Sequence, residues 1–200
     1  MLKVILLRHG ETAYNAAGNR YCGRTDIGLT EKGITQATKV FEALKGVPVD
    51  AVYASPLQRA LTTAAIASGN RAVTADDRLI EADFGLWEGK TKEAFNAEDP
   101  TLWAAWMKDP EGTRAGGTGE TGGAIVKRVN DFFEELHRRH NGQLVMVVAH
   151  NGINRLYLAS KLGMPLSNYR RFDMENSAVS YFELDDENVL TLKKLNAHSI

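Results

Sequence analysis

The sequence predicts an α/β fold in which a mostly parallel sheet lies between two layers of helices. Two observations favour this three-layer α/β/α fold. Short apolar segments alternate along the chain with longer segments of helical periodicity. The apolar segments are continuous rather than alternating with polar residues, which is typical of strands buried on both faces. A chain of 200 residues, 44% of them hydrophobic, is long enough for one core, so we expect a single domain over residues 1–200.

The chain begins with a strand and a helix. Residues 3–8 (KVILLR) are almost continuously apolar and predict a buried strand. Thr30 is a typical N-cap residue for the helix that follows, which extends as far as Gly46. Four apolar residues at helical spacing predict the buried face of this helix: Ile34, Ala37, Phe41 and Leu44.

A second strand and helix come next. Residues 50–54 (DAVYA) predict a short strand. Ser55 and Pro56 suit the N-cap and the first position of a helix that continues to Ala67. Arg59 is therefore expected in or near the first turn of this helix.

The composition changes over about residues 76–123. This part of the chain is polar, contains Trp103 and Trp106, and has a cluster of glycines at 116–123. We expect short helices and mobile loops here, with a lid-like insertion at about 84–123. The two tryptophans are expected to pack a lid helix rather than to bind substrate.

The last third of the chain again alternates helices and strands. A long helix is expected from Ala124, followed by a buried strand over 143–150. A further helix is expected over 151–163, ended by Gly163. Two late strands are expected near 177–184 and 188–195. An exposed edge strand at this end could pair with a second copy, so a homodimer is possible.

Charge and cysteine content exclude several classes of function. The formal net charge of −1 provides no overall field to attract nucleic acid or an anionic membrane, so we expect neither as a partner. Cys22 is the only cysteine, which excludes an intrachain disulfide and a cysteine-based zinc cluster. No apolar run approaches the roughly 20 residues that span a bilayer, and no signal peptide is evident after Lys3. We expect a cytoplasmic protein.

Basic side chains follow three predicted strands at the points where the strands end. Arg8 and His9 end the first strand, Arg59 lies one turn beyond the second, and His150 ends the third. Ligands of open α/β sheets bind at the carboxyl ends of the strands, where helix N-termini favour anions. The pattern therefore predicts a phosphate site. A single histidine at a strand end is more often structural, and the residues alone do not name a reaction.

Five motifs occur in order between positions 4 and 152, and together they resemble one family. They are VILLRHGET, YCGRTDIGLTEKG, SPLQRALTTA, LIEADFGLWEG and AHNG. The sequence is similar to the histidine phosphatase superfamily, which implies a phosphoglycerate mutase-like fold. Within that superfamily, EADFGLWEG resembles the small bacterial α-ribazole phosphatases. The segment NSAVSYFEL resembles metal-independent phosphoserine phosphatases.

The resemblance implies catalytic roles for five matching residues. His9 is expected to be the nucleophile that becomes phosphohistidine, and Glu81 to be the general acid. Arg8, Arg59 and His150 are expected to clamp the phosphate. These residue types suit phosphoryl transfer, because neutral imidazole is a competent nucleophile and guanidinium groups match phosphate oxygens.

Further positions are expected to contact substrate: Asn15, Cys22, Gly23 and Asn151. The thiol of Cys22 is expected to be packed rather than reactive. Spacing alone does not choose the acid among Glu81, Asp83 and Glu88, so Glu81 depends on the resemblance. The remaining histidines are expected at the surface: His137, His140 and His198.

The implied activity is that of a phosphatase that needs no metal and no cofactor and acts on a small phosphorylated metabolite. The short segment between Glu81 and the helix at 124 favours a phosphatase over the longer cofactor-dependent mutases. Two alternatives stay open, a cofactor-dependent phosphoglycerate mutase and a non-catalytic phosphate-binding module. The segment GTGETG (117–122) matches a dinucleotide-binding pattern, but no strand is expected before it.

Overall fold

The central sheet of the computed structural model, which describes residues 1–197, has six strands. They are β1 (Leu2–Arg8), β2 (Ala51–Ala54), β3 (Val73–Ala75), β4 (Leu144–Ala149), β5 (Val179–Leu184) and β6 (Leu190–Ala197). Their order across the sheet is β3-β2-β4-β1-β5-β6. The neighbours from β3 to β1 are parallel, whereas β5 is antiparallel to both β1 and β6. The predicted mostly parallel sheet is confirmed.

Seven α-helices lie between the strands of this described part of the chain. They are α1 (Ala13–Ala16), α2 (Glu31–Ala43), α3 (Gln58–Ala67), α4 (Lys92–Glu98), α5 (Pro100–Lys108), α6 (Gly122–Arg139) and α7 (Asn151–Lys161).

Helices cover both faces of the sheet, and β1 shows how its side chains are shared between them. Val4 and Leu6 pack into the core formed with α6 and α7. Ile5 and Leu7 point to the opposite face and pack into the core formed with α2 and α3. The continuous apolar strands predicted this arrangement, and the three-layer α/β/α fold is confirmed.

Several elements differ from the predictions at their ends. The side chain of Ser55 accepts a hydrogen bond from the Leu57 amide (3.3 Å), so α3 begins at Gln58 rather than at Pro56. Thr121 caps α6 through the Ala124 amide (3.2 Å), which places the start of that helix two residues earlier than predicted.

Other differences concern burial. The prediction for Ile34 was wrong, because this side chain is 45% exposed on α2 while Val40 is buried. His137 and His140 are half-buried rather than exposed, and Nε2 of His140 lies 2.9 Å from the hydroxyl of Tyr53. His198 lies outside the described residues.

The segment 84–123 forms α4, α5 and short 3-10 turns with a small hydrophobic cluster of its own. Trp106 is buried in this cluster and donates its indole N–H to the hydroxyl of Tyr169 (3.1 Å). Gly116 has a φ of 55°, and a Cβ there would lie 2.2 Å from the carbonyl oxygen of Phe84. The glycine cluster therefore lets this loop touch the turn at 84–87. A lid function for the segment stays a prediction.

Within residues 1–197, no helix is both long enough and apolar enough to cross a membrane.

Candidate active site

The pairing of β1 with β4 brings two histidines together. Arg8 lies opposite Ala149 in the parallel register, and the His9 amide donates to the Ala149 carbonyl (3.0 Å). His9 and His150 therefore leave adjacent strands at the same edge of the sheet. Their ring centroids are 5.1 Å apart with an angle of 56° between the planes.

The ring of His9 is held in one orientation. Its Nδ1 lies 2.7 Å from the carbonyl oxygen of Gly10. A carbonyl oxygen only accepts, so Nδ1 carries the proton and Nε2 keeps a free lone pair. Burial is the main cause that lowers the pKa of His9 well below 6.5, and the charges of Arg8 and Arg59 lower it further. The structure thus provides a neutral imidazole with an available Nε2.

Arg59, on α3, is completely buried and organises the loop before it. Its Nη1 donates to the carbonyl of Thr25 (2.7 Å), and its Nη2 to the carbonyl of Gly23 (2.7 Å). Within the described residues, its Nε has no hydrogen-bond partner. Gly23 thus supports Arg59 through its carbonyl.

Arg8 ends β1 and donates through Nη1 to the carbonyl of Met174 (2.8 Å). Burial lowers the pKa of Arg8 to about 10, although the nearby charges of Glu81 and Asp173 act in the opposite direction. Its Nε is also buried without a partner among residues 1–197. Arg8 and Arg59 each have a buried N–H group available for a ligand.

His150 is the N-cap residue of α7 and is completely buried. Neither of its ring nitrogens has a hydrogen-bond partner in the described part of the chain. Burial, then the charge of Arg59 and the ring of His9, lower its pKa well below 6.5. Buried polar atoms are rarely left unpaired, so these nitrogens indicate a place for a ligand.

Glu81 packs against the N-terminus of α7. Its Oε2 accepts from the Gly152 amide (3.1 Å), and its Oε1 accepts from the amides of Ile153 (3.2 Å) and Ala82 (2.9 Å). A Cβ at Gly152 would lie 2.7 Å from Oε1, so the carboxylate can approach this closely only because the residue is glycine. The free amides of a helix N-terminus favour such an anion.

Asp83 and Glu88, the other two candidate acids, have structural contacts. Asp83 accepts from the Gly85 amide (2.9 Å), and Glu88 accepts from the amide (2.8 Å) and hydroxyl (2.7 Å) of Thr25. Glu81 is the one of the three that lines the cavity beside His9.

That cavity has a volume of about 310 Å³. Seven of the nine predicted site residues line it: Arg8, His9, Asn15, Cys22, Arg59, Glu81 and Asn151. His150 lies behind this lining against His9, and Gly23 contributes its carbonyl to Arg59 instead. Burial raises the pKa of the Cys22 thiol to about 11, so the thiol stays protonated. Among residues 1–197, no group of three or more His, Cys, Asp or Glu side chains is arranged to hold a metal ion.

Sequence reasoning missed several residues that hold the site together. Asn176 donates to the carbonyl of His9 (3.0 Å) and to Oδ1 of Asn15 (3.3 Å). Arg128 forms a bidentate pair with Glu120 (3.0 and 3.1 Å) next to the segment that carries Glu81. Nothing in the sequence marked these contacts, since Asn176 is far along the chain from His9 and Asn15, and Arg128 is far from the segment that carries Glu81.

Comparison with known proteins assigns nearly the whole chain to one family. Residues 4–198 match a family model described as histidine phosphatase superfamily (branch 1). Phosphoserine phosphatase 1 of Hydrogenobacter thermophilus is 35% identical over 195 residues, which is 96% of this chain and 92% of that protein. Adenosylcobalamin/alpha-ribazole phosphatase of Salmonella typhimurium is 34% identical over 201 residues, 100% of this chain and 98% of that protein.

A solved structure agrees with these sequence relatives. A mutant phosphoserine phosphatase from Entamoeba histolytica in complex with phosphoserine matches with a TM-score of 0.90 and 30% identity. The match covers 99% of this chain and 98% of that one. The predicted class of enzyme, a phosphatase with this fold, is confirmed. The chain belongs to branch 1 of the histidine phosphatase superfamily.

Proposed function

We propose that the protein is a metal-independent phosphomonoester hydrolase that works through a phosphohistidine on His9. The observation that carries this proposal is the hydrogen bond from Nδ1 of His9 to Gly10, which leaves Nε2 free in a cavity lined by Arg8, Arg59 and Glu81. A free imidazole nitrogen beside two guanidinium groups suits attack on a phosphate.

In the first step, the lone pair of Nε2 forms a bond to phosphorus while the bond from phosphorus to the alcohol oxygen breaks. Glu81, in its protonated form, gives its proton to the leaving oxygen. A bound phosphate dianion favours this protonated form, because two negative charges repel each other in a buried site. The products are the free alcohol and a phosphorylated His9.

In the second step, the carboxylate of Glu81 removes a proton from a water molecule, whose oxygen attacks phosphorus. The bond from phosphorus to Nε2 breaks, and inorganic phosphate leaves. His9 returns to its neutral state with Nδ1 still hydrogen bonded to Gly10. Over the two steps, one ester and one water give one alcohol and one phosphate.

Three buried groups support the phosphate in this proposal. The free Nε groups of Arg8 and Arg59 are suited to bind its oxygens, since an arginine stays ionised at neutral pH. Within residues 1–197 both ring nitrogens of His150 are unpaired, and a bound dianion favours its imidazolium form. Charge developing on the phosphoryl oxygens is stabilised by groups that are already in place.

The substrate that we propose is a small phosphorylated metabolite. The relatives carry the names phosphoserine phosphatase and alpha-ribazole phosphatase, and one structural neighbour holds phosphoserine. A cavity of about 310 Å³ lies at the small end of ligand sites, which also favours a compact ester.

Phosphate release without added metal tests the proposal. We expect the wild-type chain to hydrolyse p-nitrophenyl phosphate and at least one alkyl phosphomonoester, and His9→Ala to lose more than about 99.9% of both activities, as when a nucleophile is removed. Activity that survives in His9→Ala would contradict the mechanism. Absence of phosphate release, together with bisphosphoglycerate-dependent isomerisation of 3-phosphoglycerate, would indicate a mutase instead.

Two broader expectations also stay predictions. Among residues 1–197, β6 is at one edge of the sheet, and an edge strand can pair with a second copy, which supports a homodimer. Sedimentation of the purified chain at several concentrations tests that state, and imaging of a tagged chain tests the expected cytoplasmic location.

A further inference from the structure

The cavity is lined by more arginine side chains than the proposed phosphoryl transfer uses. Two carboxylates, Glu81 and Asp173, line it together with five arginines: Arg8, Arg20, Arg59, Arg155 and Arg170. The proposed mechanism uses Arg8 and Arg59. Arg155 comes from α7, and Arg170 comes from a 3-10 turn that precedes β5. These two cations have no part in phosphoryl transfer as described above.

Arg155 is buried, but its guanidinium group has few close hydrogen-bond partners among the described residues. It is 6% exposed, and its Nε has no hydrogen-bond partner among residues 1–197. Its Nη1 makes one long contact to the carbonyl of Phe172 (3.4 Å) and lies 3.6 Å from Asp173, whose side chain is 76% exposed. A buried guanidinium normally has close partners, because desolvation of an unpaired charge is unfavourable. Arg155 therefore offers N–H groups to a ligand in the cavity that it lines.

The guanidinium is also held in place. Its central carbon lies 5.3 Å from the centre of the Tyr169 ring, so an aromatic face supports it. Arg170 stacks on the same ring (5.8 Å) and on Trp103 (5.3 Å). Burial and then the charge of Arg170 lower the pKa of Arg155, and the ion pair with the exposed Asp173 offsets this only in part.

The distance from the phosphate site limits what this ligand can be. Arg155 follows Asn151 by four residues on α7, and both line the cavity. One helical turn, about 5–6 Å along the axis, therefore separates Arg155 from the N-terminal end of α7 where Glu81 lies. A second anionic group about two or three carbon atoms from the ester oxygen fits this separation.

We propose that Arg155 binds a carboxylate of the substrate and thereby selects phosphomonoesters that carry a carboxylate close to the ester. The planar fork of arginine matches the two oxygens of a carboxylate, and Arg170 adds positive charge on the same side. Arg155 is then a specificity-determining residue. This assignment rests on the proposed hydrolase activity.

Two matched pairs of substrates test the assignment. Phosphoserine differs from phosphoethanolamine by its carboxylate, and 3-phosphoglycerate has a carboxylate where glycerol 3-phosphate has a hydroxymethyl group. The quantity to compare is the ratio of kcat/KM within each pair. We expect the wild-type ratio to favour the carboxylate, and Arg155→Met to lower it about 10- to 100-fold, the loss expected for a charge-assisted hydrogen bond.

Arg138→Met is the matched control, because Arg138 is exposed on α6 and does not line the cavity. We expect the wild-type ratio in this variant. Asp173→Asn is an independent test should Arg155→Met fail to fold. Its amide oxygen can still accept from the Met174 amide (2.9 Å), but it removes the charge that competes for Arg155. We expect the ratio of kcat/KM within each pair to shift further toward the carboxylate-bearing member.

The measurements distinguish a failure of the Arg155 proposal from a failure of the phosphatase proposal. Wild-type ratios near one, or equal losses for both members of a pair in Arg155→Met, would overturn the role of Arg155 while hydrolysis of p-nitrophenyl phosphate still supports the phosphatase. A wild-type chain that hydrolyses none of these esters would overturn both proposals.

Discussion

The two histidines that face each other at the end of β1 and β4 have different chemical environments. His9 gives one proton to a fixed carbonyl partner, Gly10, whereas both nitrogens of His150 are unpaired in the described residues. The first ring is therefore oriented before a ligand arrives, and the second can take a proton when a dianion binds. This difference supports one nucleophile and one clamp rather than two interchangeable bases.

Glu81→Gln tests the proton transfer. Glutamine keeps one of the two oxygens, so it can still accept from the Ile153 amide at the position of Oε1. It loses the acceptor for the Gly152 amide and cannot protonate the leaving alcohol. We expect the rate of ester cleavage for alkyl phosphates to fall about 10²- to 10⁴-fold, the usual contribution of general acid catalysis, with a much smaller fall for p-nitrophenyl phosphate. Single-turnover rates of ester cleavage for both classes of substrate measure the difference.

Asp83→Asn is the matched control, because Asp83 has a similar carboxylate but does not line the cavity. Equal losses for alkyl and aryl phosphates in Glu81→Gln would show that Glu81 is not the acid, since a good leaving group does not need its proton.

At the level of secondary structure elements, α6 positions the segment that carries Glu81. Arg128, on α6, donates to the carbonyls of Arg78 (2.7 Å) and Ile80 (2.8 Å) and pairs with Glu120. Glu120 in turn accepts from the Asp83 amide (3.0 Å). The backbone is thus held on both sides of Glu81 by groups that do not touch the cavity. Arg128 and Glu120 are positioning residues for Glu81.

Arg128→Met is expected to release this segment. We expect the rate of ester cleavage for alkyl phosphates to fall about 10-fold, because even a small displacement of a catalytic group is costly, while cleavage of p-nitrophenyl phosphate changes much less. Single-turnover rates of ester cleavage on both substrates measure this, with Arg138→Met on the same helix as the control. A loss that is the same for both substrates would point to general destabilisation instead.

The sequence predicted the elements that carry strong local signals. β1, β2 and β4 are continuously apolar, and α2 has Thr30 at its N-cap, so these elements appear near their predicted positions. β3 was missed because it has only three residues, Val73–Ala75, and forms by pairing with β2. The start of α3 was wrong because Ser55 makes a local turn instead of a cap.

In the candidate site, too, the residues that belong to local sequence motifs were predicted, and those that depend on tertiary contacts were not. His9, Arg59 and Glu81 belong to local motifs, and the structure places all three at one cavity. Arg155 and Arg128 lie in helices whose sequences have no special pattern. Their surroundings depend on contacts of Arg155 with Asp173 and of Arg128 with the Arg78 and Ile80 carbonyls, which only the folded chain brings close. Spacing along the sequence does not reveal such tertiary contacts.

On the scale of the whole molecule, the active site makes stability depend on pH. His9 and His150 are buried, and their pKa values lie well below 6.5, the value expected in the unfolded chain. Above pH 6.5 both states carry neutral histidines. Below it the unfolded chain binds protons that the native protein does not, so stability falls as the pH falls.

The free energy of unfolding from urea titrations in phosphate-free buffer at pH 7.5 and 5.5 measures this effect. We expect the wild type to lose up to about 1.4 kcal/mol per pH unit for each of the two histidines below pH 6.5. His9→Asn should reduce this dependence by about half. The same pH dependence in His9→Asn and the wild type would show that His9 is not a source of the effect.

The position of β1 in the sheet has a consequence for how the protein is made. β1 pairs with β4 on one side and with β5 on the other, yet those strands occupy residues 144–149 and 179–184. At a synthesis rate of roughly 5–20 residues per second, the apolar β1 segment waits roughly 10–40 s on the ribosome before both neighbours exist. An unpaired apolar strand is prone to aggregation, so the β1 segment is exposed to this risk during the interval. His9 follows that strand directly, and its backbone is held by Ala149 and Asn176, so this part of the site can form only after those residues have been synthesised.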